Sequence, residues 1–290
     1  MAICNTMRIA RADLHMWEEP CISGQNGSGT IFFTGCNLKC VFCQNYVISR
    51  GHVGHNIVVE ELAEIMLSLQ DRNANNINLV TAGHFINPMI KAVELAKTQG
   101  LTIPIVYNTS SYEPVDNIKK LEGIVDVYLP DLKYVDSALS QKYSGKSDYF
   151  SVASAAIEEM VRQTKVFSFV DEATHEYSYN LSQYQALSED VNLIMTRGTI
   201  VRHLMLPHCL QDSKAVVAYL LSTYKDDIFI SVMNQYTPLE HVRKDYPELY
   251  TKISSQDYDQ LLDYAIDLGI NNGFFQDGDV ASESFIPDFL

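Results

Sequence analysis

Three cysteines within eight residues are the part of this sequence best suited to chemistry. Cys36, Cys40 and Cys43 have the spacing C-x3-C-x2-C. Thiolates are soft ligands that select zinc, copper or iron–sulfur clusters. A structural zinc site needs four ligands, and a cubane cluster is usually held by four cysteines. A set of three on one short loop therefore predicts a metal centre with one open position, where another molecule can bind.

Two other interpretations of the triplet stay open at this point. His15 and Cys21 lie upstream and can complete a four-ligand zinc site. The cysteines can also be core residues without a metal. A second metal is a further alternative for the polar cluster His15, Glu18, Glu19 and Cys21, which can instead shape the mouth of a substrate site.

Composition limits the class of protein. The chain has 290 residues, 47% of them hydrophobic, which is ample for the core of one large domain. Its formal net charge of −15 argues against a nucleic-acid partner and against binding to an acidic membrane surface. No apolar run approaches the ~18 residues of a membrane helix, and the N-terminus has no signal-peptide core. We therefore expect a cytoplasmic protein with reduced thiols and no membrane partner.

Strand-like and helix-like segments alternate from residue 30 onward. The predicted strands are Thr30–Thr34, Asn78–Thr81, Ile103–Tyr107, Ile124–Leu129, Thr199–Leu206 and Asp227–Val232. The predicted helices are Val58–Arg72, Pro88–Thr98, Pro114–Leu121, Ser151–Thr164 and Gln256–Leu268. About six βα units predict parallel strands with right-handed crossovers, as a barrel or a doubly wound sheet. Both architectures bind ligands at the carboxyl ends of the strands, where the cysteine loop lies.

One segment interrupts this alternation. Phe167–Asp190 has alternating patterns at Phe167–Val170 and Tyr177–Leu181, which predict a hairpin followed by a polar tail. Loops of this length are usually functional lids or disordered, and both alternatives stay open.

The cysteine loop resembles the signature of the radical S-adenosylmethionine (radical SAM) superfamily, C-x3-C-x-aromatic-C, with Phe42 at the aromatic position. The resemblance implies an α/β fold, a partial TIM-like (β/α)6 barrel. It implies that Cys36, Cys40 and Cys43 hold one [4Fe–4S] cluster and that S-adenosylmethionine chelates the fourth iron. One electron from the reduced cluster then cleaves S-adenosylmethionine to a 5′-deoxyadenosyl radical, which abstracts hydrogen from a substrate.

Later strand ends resemble the glycyl-radical-enzyme activases, the branch that includes pyruvate formate-lyase activating enzyme. The chain has Thr81-Ala-Gly83-His84 where that branch has Gly-Gly-Glu, so Thr81 and Gly83 are candidates for the cofactor amine, without a carboxylate in the turn. Asn108 begins a turn similar to the one near the ribose. Asp131 and Lys133 match an Asp-Leu-Lys pattern that implies a monovalent cation at Asp131, and a plain salt bridge between the two residues is the alternative.

The remaining cofactor-binding candidates lie on the last two predicted strands. Arg202 matches the arginine that meets the cofactor carboxylate, and a guanidinium suits a carboxylate geometrically. Asn234 and Gln235 follow the sixth strand and are placed to line the same mouth. No catalytic residue is assigned. Cys209 is a weak candidate for hydrogen relay, and His84, with His203 nearby, for acid–base work.

A closer resemblance than to the activases in general is to a subgroup of proteins related to pyruvate formate-lyase activating enzyme. They share His15–Gly24 before the cysteines, Asn-Gln-Tyr after the sixth strand, and an aromatic, acidic C-terminus like Gly273–Phe289. This predicts an N-terminal extension at residues 1–27, a radical SAM core at 28–240 and a helical C-terminal extension at 241–290.

The predicted function is hydrogen abstraction of the activase type. The predicted partners are an external one-electron reductant, flavodoxin or ferredoxin, and a glycyl radical enzyme. Radical modification of a small molecule is the alternative within enzymes. A non-catalytic module that binds zinc or an iron–sulfur cluster is the alternative from another class.

Overall fold

The structure is a computed structural model that describes residues 5–51, 53–174, 178–186 and 192–275. The strands in this part of the chain are β1 (Thr6–His15), β2 (Ser28–Phe33), β3 (His55–Val58), β4 (Ile77–Val80), β5 (Ile105–Thr109), β6 (Val127–Pro130), β7 (Ser168–Asp171), β8 (Ser178–Tyr179), β9 (Leu193–Leu204), β10 (Phe229–Met233) and β11 (Gly273–Phe275). The helices are α1 (Pro20–Ser23), α2 (Tyr46–Ser49), α3 (Val59–Asp71), α4 (Ile86–Thr98), α5 (Val115–Lys119), α6 (Ser137–Ser144), α7 (Tyr149–Gln163), α8 (Leu181–Ala186), α9 (Leu210–Tyr224) and α10 (Ser255–Asp267).

The sheet confirms the predicted architecture. Its parallel strands lie side by side in the order β2, β4, β5, β6, β9, β10 and β11, so consecutive βα units are spatial neighbours. The first six of these are the six predicted strands. At the other edge β1 pairs antiparallel with β2, and β3 pairs antiparallel with β1. The sheet curves as a partial TIM-like barrel and is not closed.

Hydrophobic patterning explains why these segments take their places. The central parallel strands are covered on both faces, so every residue of β2, β4, β5 and β6 is buried. Helix α3 presents Leu62, Met66 and Leu69 to the sheet at helical spacing. A second hydrophobic core, which includes Val216, Leu220 and residues of α7 and α10, covers β9 and β10. The main hydrophobic core, between α3 and the sheet, and this second core together hold the strand ends in fixed positions.

Several elements were absent from the sequence-based prediction. They include β1, β3, α1, α2, α6, α9 and β11, and a short 3-10 helix at Ala82–Phe85 that precedes α4. Strand β1 is hydrogen-bonded to β2 and buries Met7 and Ile9 in the main core. The division into residues 1–27, 28–240 and 241–290 stays a prediction.

The described part of the segment Phe167–Asp190 lies at the amino ends of the strands, opposite the cysteine loop. Strand β9 begins at Leu193, six positions earlier than predicted, and its additional residues pair antiparallel with β7. Strands β7 and β8 form the predicted hairpin, and α8 follows where a polar tail was expected. Glu172 accepts hydrogen bonds from the backbone of Gln25 and Asn26 at 2.7 and 2.9 Å. The described part of this segment is therefore no lid over the cysteine loop; residues 175–177 and 187–191 lie outside the described residues.

No helix within the described ranges is both long enough and apolar enough to span a membrane.

Candidate functional site

A cavity of about 250 Å³ opens at the carboxyl ends of the parallel strands. It is lined by residues of the cysteine loop, of the strand ends and of the segment that follows β1. Its sequence-predicted members are Cys36, Cys40, Phe42, Cys43, Thr81, Asn108, Asp131, Lys133, Arg202 and Gln235. Ten candidates from distant parts of the chain therefore share one cavity.

Later parts of the chain hold the cysteine loop in place. The amide of Val41 donates to the carbonyl of Tyr143, at the end of α6, at 2.9 Å. The carbonyl of Val41 accepts a hydrogen bond from Nε2 of His241 at 2.7 Å. The Gln44 side chain donates to the carbonyl of Gln235 at 3.1 Å. The loop that joins the cysteines is thus fixed from two sides.

Burial sets the electrostatics of two of the thiols. It raises the pKa of Cys36 and raises the pKa of Cys40 to about 11. The sulfur of Cys36 accepts a hydrogen bond from the amide of Leu38 at 3.4 Å. The sulfur of Cys40 accepts one from the hydroxyl of Ser144 at 3.1 Å. Both thiols are partly desolvated, and a bound metal would supply the positive charge that deprotonates them.

Asp131 lies between two cations. Its Oδ2 accepts from Nζ of Lys133 at 2.6 Å, and its Oδ1 contacts the Arg202 guanidinium at 3.1 Å. Burial by itself raises the pKa of Asp131, but Lys133 and Arg202 outweigh it and the net pKa is lowered. Because both oxygens contact side-chain cations, the monovalent cation predicted at Asp131 has no support from this geometry.

Arg202 joins three segments of the chain at the cavity wall. Besides Asp131, its guanidinium donates to Oε2 of Glu18 at 3.0 Å and to Oδ1 of Asn108 at 2.6 Å. Oε1 of Glu18 also accepts a hydrogen bond from the side-chain amide of Asn78 at 2.9 Å. An arginine can present several donors in a fixed fork, which suits this bridging position. The predicted contact of Arg202 with a cofactor carboxylate stays a prediction.

The segment after β1 forms one wall of the cavity. His15, Trp17 and Glu18 line it, and Trp17 is 51% exposed at its rim. Burial, reinforced by the positive charges of Arg11 and Arg202, lowers the pKa of His15. The sequence singled out His15 and Glu18 but missed Trp17, for which the one available signal was its place within the shared His15–Gly24 pattern. Among the described residues no three His, Cys, Asp or Glu side chains converge on one metal ion.

The turn after β4 is strained and close-packed. Thr81 has φ of 61°, in the left-handed region that β-branched residues rarely adopt. A Cβ on Gly83 would lie 2.6 Å from Oε2 of Glu113. Glu113 is buried, accepts from the hydroxyls of Tyr107 and Thr109, and has its pKa raised by burial. A carboxylate therefore does meet this turn, from a position about thirty residues later that the sequence did not indicate.

Five predicted candidates do not line the cavity. Gly83 and His84 face a separate groove beside α4 and α5. Asn234 lies next to the cavity-lining Gln235, and Cys209 is buried in the second core at the start of α9. His203 is buried outside the cavity, and its Nδ1 lies 2.8 Å from the carbonyl oxygen of Leu132.

Comparison with known proteins agrees with this geometry. The sequence model of a protein family, the radical SAM superfamily, matches residues 30–170 of this chain. These residues include the cysteine loop and the ends of β4, β5 and β6. These residues form a radical SAM domain. The prediction made from the cysteine spacing is confirmed at this level, and such a domain implies a [4Fe–4S] cluster and S-adenosylmethionine.

Two known proteins are similar to this chain in sequence. The uncharacterised protein MJ0674 of Methanocaldococcus jannaschii is 27% identical over 262 residues, which cover 87% of this chain and 65% of the relative. A pyruvate formate-lyase-activating enzyme of Clostridium pasteurianum is 26% identical over 130 residues, which cover 43% of this chain and 53% of that enzyme. The chain thus spans less than two thirds of either relative's length.

A solved structure supports the fold. A radical SAM methyltransferase from Sphaerobacter thermophilus superposes with a TM-score of 0.54 at 12% identity, over 87% of this chain and 67% of the methyltransferase. At this identity the likeness establishes the partial barrel and carries nothing about the substrate.

Proposed function

We propose that this protein is a radical SAM enzyme that holds one [4Fe–4S] cluster on Cys36, Cys40 and Cys43. The observation that carries the proposal is that these three thiols line one cavity with polar side chains from five later strand ends. In a cubane each thiolate bonds a different iron, so the sulfurs need not converge as they do around one zinc ion.

The cavity offers polar groups that suit a zwitterionic, nucleoside-containing ligand such as S-adenosylmethionine. Oε1 of Gln235 is buried and accepts no hydrogen bond among the described residues, so it is available to a ligand N–H or O–H group. Asn108 and Asp131 add oxygen acceptors, and Lys133 and Arg202 add positive charge beside them. These residues fit the cofactor by donor type and charge.

When bound, the cluster and S-adenosylmethionine supply one-electron cleavage of a carbon–sulfur bond and a 5′-deoxyadenosyl radical that abstracts hydrogen. The chain's own residues orient and protect these groups. Arg202 joins Glu18, Asn108 and Asp131, which keeps three strand ends at fixed separations. Phe42 is buried and packs edge-on against Tyr134, so it adds an apolar surface to the lining of the cavity. The segment His15–Glu18 forms the wall on which a substrate would lie.

The proposed reaction is of the activase type, with a glycine of a glycyl radical enzyme as the target and flavodoxin or ferredoxin as the reductant. Its support is the 26% identity to an activating enzyme over 130 residues. An external reductant follows from the radical SAM chemistry itself, because each cleavage consumes one electron.

Anaerobic reconstitution with iron and sulfide tests the cluster. We expect about four irons per chain and formation of 5′-deoxyadenosine when dithionite and S-adenosylmethionine are added. Cys40→Ala should lose both iron and cleavage, whereas Cys209→Ala, a buried thiol outside the cavity, should keep both. Bound zinc without cleavage, or unchanged iron in Cys40→Ala, would overturn the proposal.

The target needs a separate experiment. Reduced enzyme, S-adenosylmethionine and a candidate glycyl radical enzyme are mixed and followed by EPR. A glycyl doublet supports the activase proposal. Cleavage that is stimulated by a free metabolite, with no doublet, would replace it with small-molecule chemistry while leaving the radical SAM assignment intact.

A further inference from the structure

A chain of two hydroxyl groups ends on one of the proposed cluster ligands. Oγ of Ser144 lies 3.1 Å from the sulfur of Cys40, and the hydroxyl of Tyr134 lies 3.1 Å from Oγ of Ser144. Both Ser144 and Tyr134 are 1% exposed. Water therefore does not compete for these hydrogen bonds, and their direction is set by the protein.

We infer that Ser144 and Tyr134 form a hydroxyl relay that donates to the sulfur of Cys40 and eases one-electron reduction of the cluster. The inference rests on the proposed function, since it requires a cluster on Cys40. It assigns Ser144 and Tyr134 as positioning residues that act through Cys40 and do not touch the substrate.

The direction of the relay follows from counting protons. A metal-bound thiolate has no proton and can only accept. The hydroxyl of Ser144 has one hydrogen, which must therefore point to Cys40. Tyr134 then has to donate its own hydrogen to the oxygen of Ser144. Burial raises the pKa of Tyr134 well above its ordinary value, so the phenol stays protonated.

The backbone keeps the relay in register with the cysteine loop. Ser144 is the last residue of α6, and Gly145 ends the helix in the left-handed conformation with φ of 72°. The preceding carbonyl, of Tyr143, accepts from the amide of Val41, next to Cys40, at 2.9 Å. The end of α6 and the cysteine loop are thus joined twice, once through the backbone and once through Ser144.

Electrostatics predict the sign of the effect. Reduction adds one electron to the cluster from the external reductant, and no covalent bond forms or breaks at Cys40. A hydrogen bond to a ligand sulfur stabilises the more negative, reduced state and raises the potential. The C-terminus of α6 carries partial negative charge, which has the opposite effect. The Ser144 hydroxyl lies between that helix end and the sulfur and offsets it.

The hydrogen bonds to the sulfurs of Cys36 and Cys40 differ in whether a mutation can remove them. The sulfur of Cys36 accepts from a backbone amide, that of Leu38, which no substitution except proline removes. The sulfur of Cys40 accepts from a side chain. Of these two hydrogen bonds, the one from Ser144 is therefore the one through which a substitution can adjust the potential without altering a ligand.

The test is a mediated redox titration of cluster-loaded full-length protein, followed by EPR of the reduced cluster. Ser144→Ala should lower the reduction equilibrium constant about tenfold, which for a one-electron couple is about 59 mV. Tyr134→Phe should lower it in the same direction by about threefold. Ser144→Thr, which keeps the hydroxyl, should restore the wild-type potential.

Ser140→Ala is the matched control. Ser140 lies one turn earlier on α6, is 1% exposed, and donates to the carbonyl of Ser137 instead of the cysteine loop. It should leave the potential unchanged. A wild-type potential in Ser144→Ala with a full cluster overturns the inference, as does an equal shift in Ser140→Ala.

Two further outcomes keep the inference separate from the proposed function. If Ser144→Ala fails to take up iron, Tyr134→Phe decides, and an unchanged potential in that variant overturns the relay. If wild-type protein binds no cluster, the proposed function fails first. A normal cluster with normal S-adenosylmethionine cleavage and no shift in either variant would remove the relay alone.

Discussion

Glu18 and Arg202 are 184 positions apart in the sequence, and Oε2 of Glu18 lies 3.0 Å from Nη1 of Arg202. Both side chains are nearly buried, with exposures of 10% and 13%. The pair joins the segment after β1 to the carboxyl end of β9, which are several strands apart in the sheet. It therefore fixes one dimension of the cavity.

Removal of this arginine should be costly. Arg202→Ala leaves the Glu18 carboxylate buried without its cation, and we expect a loss of about 3–5 kcal/mol in the free energy of unfolding by urea. Arg202→Lys should lose less, because an ammonium keeps the charge without the fork. The control is Arg72→Ala, an exposed pair with Asp13 at 2.6 Å, which should cost under about 1 kcal/mol. Equal losses in the two alanine variants would contradict the bridging role.

His203 predicts a pH dependence of stability. Burial lowers its pKa to about 4 in the folded state, from an ordinary value of 6.5. Between pH 6.5 and 4 the unfolded chain binds a proton that the folded chain does not, so this histidine makes stability fall as the pH falls through that window. From pH 7 to pH 5 its contribution should be about 2 kcal/mol.

Urea unfolding at pH 7 and pH 5 measures this contribution. His203→Asn should show a smaller loss between the two pH values than wild type, whereas His55→Asn, at an exposed position on β3, should match wild type. A pH dependence that is the same in all three proteins would show that His203 does not titrate as described.

Trp17 is the one tryptophan of the chain and lies at the cavity rim. A cluster in the same cavity absorbs at the wavelengths that tryptophan emits, so loading with iron and sulfide should quench the emission strongly. Addition of S-adenosylmethionine should change it again. Cys40→Ala treated in parallel is the control; quenching of equal depth in that variant would place the cluster elsewhere.

The contact between Gly83 and Glu113 predicts a rescue. Gly83→Ala should cost about 1–3 kcal/mol in the free energy of unfolding, because the added methyl group collides with a buried carboxylate. Glu113→Asp withdraws that carboxylate, so the double variant should lose less than the sum of the single losses. Strict additivity in urea unfolding would mean that the two residues do not touch.

The strands that hold the site were predictable because parallel strands buried on both faces are nearly continuous hydrophobic runs. The antiparallel strand β1 was missed. Its alternation changes phase partway, with Met7 and Ile9 apolar before a β-bulge between Ile9 and Arg11, and Ala12 and Leu14 apolar after it. Helices α6 and α9 were missed as well, although α6 has a capping aspartate, Asp136, whose side chain accepts from two amides.

Among the site residues, those with a characteristic local spacing in the sequence were predicted best. Cys36, Cys40 and Cys43 were found because their chemistry depends on one short loop. Ser144 and Glu113 were missed because neither belongs to a motif, and each reaches the site only through the packing of later segments against earlier ones. Arg202 was predicted at a strand end, but its three protein partners depend on the order of the strands in the sheet.

The hydrogen bonds that hold the cysteine loop in place also determine when the site can form during synthesis. Tyr143, Gln235 and His241 leave the ribosome 100 to 200 residues after the cysteine-loop residues that they contact. Contacts of such long sequence separation form late in folding. Until those residues have been synthesised, the thiols therefore belong to a loop that lacks these hydrogen bonds. A metal or cluster site on these thiols would therefore be fully supported only after the chain has been synthesised as far as His241.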